Sequence, residues 1–182
     1  TVLLKDTHTE NEYPITIKLP RRYQKQNQKR YPVVYLLDGA AHFYSVVGMI
    51  HQLSSVNGNT NCPKMIVVGI PNTNRTRDLT PTKGTPHPFI DSTMIANSGG
   101  GEAFMQFMEK ELMPHIEAND PTQPYRMLIG HSFGGLTAMH ALVNHTDLFN
   151  RYVSIDPSMW WSDQQLLNEI KTIPNQEKYK NK

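Results

Sequence analysis

The chain is poor in the features that define several protein classes. It has one cysteine, Cys62, so no intrachain disulfide is possible and no cysteine-based zinc spacing exists. The thiol, beside Pro63, is read as inert. No apolar stretch approaches the ~20 residues of a membrane-crossing helix, and no span is expected. An excess of one charge sign is also lacking. Eighteen basic residues stand against sixteen acidic ones, a net charge of +2 without long like-charge runs, which sets nucleic acid aside as a partner. The basic group Arg21, Arg22, Lys25, Lys29 and Arg30 follows a proline and precedes a strand, and reads as a solvated loop. There is no repeat and no linker, and 182 residues with 38% hydrophobic content suit one domain, residues 1–182. A chain of that size buries about 70% of its unfolded surface. Thr1 stands where a methionine would start a chain. We expect something to have been removed from the front, whether a signal peptide, a leading segment or artificial leading residues, so the location is poorly determined, with periplasmic or secreted slightly favoured over cytoplasmic.

What is present is an alternation of strand and helix patterns. Tyr13 to Leu19 alternates apolar and polar residues, as a half-buried antiparallel strand does. Tyr31 to Leu37 and Met65 to Pro71 are continuous apolar runs, the pattern of central strands buried on both faces. A helix is predicted from Phe43 to Val56, and another from Glu102 to Ala118, where Phe104, Phe107, Met108, Leu112 and Ile116 recur at helical spacing. Between them, Asn72 to Gly101 shows no usable periodicity and reads as a long loop leaving the carboxyl end of a strand, where α/β sheets place ligands. A strand from Tyr152 to Asp156 and an amphipathic helix near Asp163 to Ile170 follow. The whole predicts an α/β fold, a mainly parallel sheet with helices on both faces and an antiparallel N-terminal edge.

The chemistry is concentrated at Gly130-His131-Ser132-Phe133-Gly134-Gly135. A short apolar run feeds this G-x-S-x-G turn, which opens directly into a helical pattern from Leu136 to Leu148, the layout of a nucleophile elbow. A serine hydroxyl attacks poorly unless it is lifted from the sheet toward a base, and glycines let the two backbones approach. Ser132 is therefore the candidate nucleophile.

The chain resembles the esterase D-like branch of the α/β-hydrolase superfamily, and more closely the siderophore (enterobactin-type) esterases. The likeness rests on Tyr31 to Gly39, Arg75 to Pro81, Gly99 to Phe104, Phe107 to Pro114, Gly130 to Leu136 and Pro157 to Trp161, six blocks in the family's order. It implies an α/β-hydrolase fold, hydrolysis of a small-molecule carboxylic ester through an acyl-enzyme, and no cofactor or metal. It also implies an oxyanion hole from the backbone N–H of Phe133 and that of Ala40, each donor contributing roughly 3 kcal/mol.

One departure matters. The superfamily orders its triad Ser, acid, His, yet after Ser132 the only histidines are His140 and His145, both on the elbow helix. His140 stands about 12 Å along that helix at 1.5 Å per residue, so neither serves as base, and His131 is expected to project away from the hydroxyl. His42 and His87 are read as pocket wall. Arg75 and Arg77 are read with Asp78 as a loop-stabilising ion pair or, for an anionic substrate, as binding residues. Asp156 is a possible triad acid. The reading is of an esterase cut short at its C-terminal end, before its histidine. Two alternatives remain: a non-catalytic module of the same fold, and an acyltransferase using the same serine.

Overall fold

Tyr31 to Leu36 is apolar at every position because its strand is covered on both faces. Val33 and Tyr35 point into one core, and Val34 and Leu36 into another. The computed structural model in which this is seen describes residues 1–88, 90–173, 177–179 and 182. Six strands, β1 (Val2–Lys5), β2 (Glu12–Lys18), β3 (Tyr31–Leu36), β4 (Ile66–Gly69), β5 (Thr122–His131) and β6 (Arg151–Ile155), form one sheet in the order β1-β2-β4-β3-β5-β6. The pairs β4·β3, β3·β5 and β5·β6 are parallel, whereas β1·β2 and β2·β4 are antiparallel. This is the expected mainly parallel sheet with an antiparallel N-terminal edge. β1 is an addition that the sequence pattern did not reveal.

The larger core lies under α4 (Gly101–Phe107), α5 (Met113–Asn119), α6 (Phe133–Asn144) and α7 (Trp161–Lys171), with a π-helical turn, Met108–Leu112, joining α4 to α5. It centres on Tyr13, Tyr35, Met105, Phe107, Leu128 and Phe149. The opposite face carries α1 (Gly39–Ser55), whose Phe43 packs on Val34, Leu36, Val67 and Ile129. Beyond α1 that face opens toward the edge strand β6, where Val153 and Ile155 are exposed.

The stretch expected as a structureless loop contains two five-residue helices, α2 (Arg75–Leu79) and α3 (Ser92–Ala96). Each begins on a side-chain cap, Asn74 accepting from Arg77 N and Asp91 from Thr93 N. Trp161 anchors the segment. Its Nε1 donates to Thr82 O at 2.9 Å, and its ring lies where a Cβ on Gly84 would come within 2.7 Å. Ser162 Oγ donates to Lys83 O at 2.7 Å, so the segment is bonded to the start of α7 rather than loose over the sheet. Of the chain end, residues 177–179 form one 3₁₀ turn, and residues 180 and 181 lie outside the described residues.

Candidate active site

β5 ends at His131 and α6 begins at Phe133, so Ser132 alone makes the turn between them. It does so at φ 57° and ψ −116°. A conformation that sparsely populated costs about 1–3 kcal/mol and persists only where the surroundings impose it. Here Ser132 N donates to Ile155 O of the neighbouring strand at 3.0 Å, and Leu136 N closes the first helical turn on Ser132 O at 2.9 Å. The flanking glycines follow from the same turn. A Cβ on Gly130 would stand 2.1 Å from Gly134 O, and one on Gly134 would stand 3.2 Å from Asp38 Oδ2.

Two helix starts converge beside this serine. β3 and β5 are neighbours with Leu36 opposite Ile129, and α1 and α6 leave from their adjacent carboxyl ends. Asp38 makes the turn into α1 in the left-handed region, at φ 52°. Gly39 follows it so closely packed that a Cβ would lie 2.7 Å from Ile70 N. In the first turn of α1 the N–H groups of Gly39, Ala41 and His42 are engaged by Ile70 O and Asp38 O. Those of Ala40 and Phe133 have no backbone acceptor among the described residues, as the first turn of a helix allows. These are the two donors the family resemblance nominated.

The electrostatics are organised by a buried carboxylate. Asp38, 5% exposed, accepts two bonds from Arg75, from Nε at 2.7 Å and Nη2 at 3.0 Å, and one from Asn72 Nδ2. The Arg75 guanidinium also lies 5.2 Å from the centroid of the Phe133 ring, within cation–π range. Arg77 does form the expected pair with Asp78, Nε to Oδ1 at 2.6 Å, and donates further to Asn11 Oδ1 and Thr73 Oγ1, each at 2.9 Å. That pair raises the Arg77 pKa, its hydrogen bond to Asp78 being the largest cause. Arg75 does not share the Asp78 pair. Its partner is Asp38, brought in by the fold, and only Arg75 of the two arginines touches the ring beside Ser132.

The remaining candidates fall around the elbow without completing a triad. His42 and His131 pack edge to face, centroids 5.8 Å apart, and both line an apolar hollow of about 240 Å³ together with Ile129 and Ile155. His87 lies 5.9 Å from the Trp160 ring, and Trp160, 46% exposed, lies 5.9 Å from Phe133. Asp156, left-handed at φ 42°, is exposed just after β6. The Ser132 hydroxyl has as its partner among the described residues not a histidine but the hydroxyl of Ser158, at 3.2 Å. Ser158 is buried, and its N–H donates to Ser132 O at 3.1 Å. Neither Ser158 nor the Asp38 carboxylate was visible as a site residue in the sequence, because nothing in their spacing marks a contact made across loops.

A strained serine at a strand-to-helix turn, backed by two helix N-termini at the carboxyl edge of a parallel sheet, is the architecture of the α/β-hydrolases. The family description "Putative esterase" matches residues 7–182, and the chain belongs to that family. It is 31% identical over 149 residues to the ferri-bacillibactin esterase BesA of Bacillus subtilis, covering 76% of this chain and 52% of that protein. It is 27% identical over 173 residues to the siderophore triacetylfusarinine C esterase of Aspergillus fumigatus, covering 88% of this chain and 56% of the other. Among solved structures, an IroE-like serine hydrolase from Shewanella oneidensis superimposes with a TM-score of 0.85 at 39% identity, over 92% of this chain and 54% of that one. The chain spans about half the length of these relatives.

Proposed function

We propose that the protein is a serine esterase in which Ser132 attacks the carbonyl carbon of a carboxylic ester. The alcohol leaves, and water then hydrolyses the acyl-serine. The observation that carries this reading is the backbone of Ser132, held at φ 57° and ψ −116° between a strand and a helix start, a strain without purpose in an idle turn. The N–H groups of Phe133 and Ala40 would receive the oxyanion, a preorganised pair that needs no rearrangement as charge develops. A serine needs a base within about 2.6–3.2 Å, and none of the described histidines bonds to Ser132. In this reading the base comes from outside these residues, and the hydroxyl of Ser158 holds Ser132 in place until then. Asp156 is the candidate acid behind that base.

The relatives' names point to siderophore esters as the substrate class. Arg75 supports an anionic or catecholate substrate. Its side chain is 37% exposed, its Nε and Nη2 bond Asp38, and no contact among the described residues engages Nη1 of this guanidinium beside Phe133. Arg77, His42 and His87 are the secondary candidates for substrate contact. A periplasmic or secreted location belongs to the same reading and is checked by cell fractionation.

The test is made on the full-length natural protein. A fluorophosphonate probe should label the wild type and not Ser132→Ala, and Ser132→Ala should lose ester hydrolysis by several orders of magnitude. Arg75→Gln should raise KM for a catecholate trilactone more than for a neutral aryl ester. Equal effects on the two would assign Arg75 to scaffolding. Labelling that survives in Ser132→Ala would place the nucleophile elsewhere, and absence of labelling in the wild type would favour a non-catalytic module.

A further inference from the structure

The first turn of α4 and the end of α6 meet at three side chains that the esterase reading leaves unused. Glu102 Oε2 lies 2.9 Å from His145 Nε2 and 3.8 Å from His140 Nε2, and one ligand-type atom from each of the three residues falls within 4.8 Å of the others. We propose that Glu102, His140 and His145 form a binding site for one zinc ion, which ties the start of α4 to the end of α6.

The distances fit. Donors ~2.05 Å from a tetrahedral ion stand about 3.3 Å from one another, and the two measured separations straddle that value. Glu102, 54% exposed on its side chain, is free to make the adjustment of a few tenths of an ångström. The polar accounting points the same way. His140 Nε2 is shut off from water and has no hydrogen-bond partner among the described residues, a cost that a buried ring nitrogen does not normally carry. The 3.8 Å to Glu102 is too long for a hydrogen bond but suits two ligands of one ion. The other nitrogen, Nδ1, lies 3.1 Å from Asn144 Nδ2, and ligation through Nε2 requires that amide to turn over, an exchange of O and N that leaves the side chain's shape unchanged. With the amide oxygen turned to the ring, Nδ1 carries the proton and Nε2 presents its lone pair, the outer contact that metal-bound histidines usually have.

Charge and space agree as well. Glu169 of α7 faces the same spot, so the cluster holds two carboxylates and no cationic side chain that the described contacts reveal. The three residues line a cleft of about 400 Å³ that also reaches Thr82, Gln165 and Glu169, room for a water as fourth ligand. Two imidazoles and a carboxylate are a zinc donor set, whereas magnesium and calcium favour oxygen ligands alone. His140 stands two helical turns from Ser132, so the ion would brace the scaffold and leave the chemistry untouched. The site stands independently of the esterase reading.

Zinc chloride is titrated into metal-stripped protein in competition with a chromophoric chelator. The expected result is saturable binding of one zinc per chain, a higher Tm with zinc than with EDTA, and no such rise with magnesium. Glu102→Gln and His145→Gln should each weaken binding at least tenfold, and His8→Gln, on an exposed turn, should not. The Tm of Glu102→Gln in EDTA should match that of the wild type, which shows that the variant folds. No zinc binding by the wild type, or wild-type affinity in Glu102→Gln, overturns the proposal, whatever the esterase activity.

Discussion

Ser132 and Ser158 are joined twice. Ser158 N–H donates to the carbonyl of Ser132 at 3.1 Å, and the two hydroxyls lie 3.2 Å apart. The loop after β6 is thereby fixed to the elbow, and the Ser132 hydroxyl is bonded to a neighbour that is itself buried. Ser158→Ala removes the hydroxyl contact and keeps the backbone one. One hydrogen bond of this kind contributes about 1 kcal/mol to stability, and about 1 kcal/mol of lost positioning corresponds to roughly fivefold in rate. In the full-length protein kcat should fall by that order, with denaturant unfolding displaced correspondingly. A loss as large as that of Ser132→Ala would instead make Ser158 part of the proton transfer.

Glycines at two positions should respond oppositely to the same substitution. At Gly130 a methyl would meet Gly134 O at 2.1 Å, backbone against backbone, and neither side can retreat without opening the elbow. Gly130→Ala should cost more than about 3 kcal/mol or prevent folding. At Gly48, exposed in the middle of α1, a Cβ would meet nothing within 4 Å. There the helix propensity of alanine should add about 0.5–1 kcal/mol of stability. Urea midpoints of the two variants check this. A neutral Gly130→Ala would mean that the elbow is wider than described.

Alkaline unfolding should report on Tyr13. Burial, with the Asp78 charge behind it, pushes this phenol from 10 to about 12, partly opposed by Arg77. The unfolded chain releases the proton near pH 10 while the folded one keeps it to about 12, so the folded state binds more protons across that window. Stability contributed by the neutral phenol is complete below pH 10 and declines as pH rises toward 12. Tyr13→Phe should reduce the slope of stability against pH there. It should not abolish it, because burial also pushes Tyr152 to about 12. An unchanged slope would show that Tyr13 ionises as freely in the fold as outside it.

The residues that were legible are those whose role is enforced locally. Ser132 could be read because close backbone approach demands glycine at fixed offsets, and β3 and β4 because burial on both faces leaves an unbroken apolar run. β1 was missed because four residues with an exposed Leu3 in second place and a lysine at the end carry too short an alternation. α2 and α3 were missed because five residues do not reach two turns, although Asn74 and Asp91 stood at their caps. The Arg75–Asp38 pair spans 37 positions, and Glu102 meets His145 across 43. Such contacts are made when loops and helix ends converge, and no local periodicity records them.

Geometry also limits what residues 1–182 do alone. His140 lies on α6 about 12 Å of helix from Ser132 at 1.5 Å per residue, and Glu102 and His145 occupy its surroundings instead. His42 is turned against His131, and His87 against Trp160. None of the three bonds to the Ser132 hydroxyl, whose proton therefore has, among the described residues, no acceptor better than the oxygen of Ser158. The elbow strain and the two helix N-termini are in place, and on the proposed reading, with the Phe133 and Ala40 N–H groups as oxyanion donors, such an arrangement without a base retains a residual of about 10³–10⁴ over water. A chain of residues 1–182 should therefore turn over an activated aryl ester weakly, with a rate that rises with hydroxide rather than levelling off near neutral pH. Its reaction with a fluorophosphonate should be slower by orders of magnitude than that of the full-length natural protein. Steady-state kinetics and timed labelling of the two proteins decide the matter. Equal labelling rates, with His42→Gln or His87→Gln abolishing them, would show that one of those histidines swings onto Ser132 and that the triad is complete within these residues.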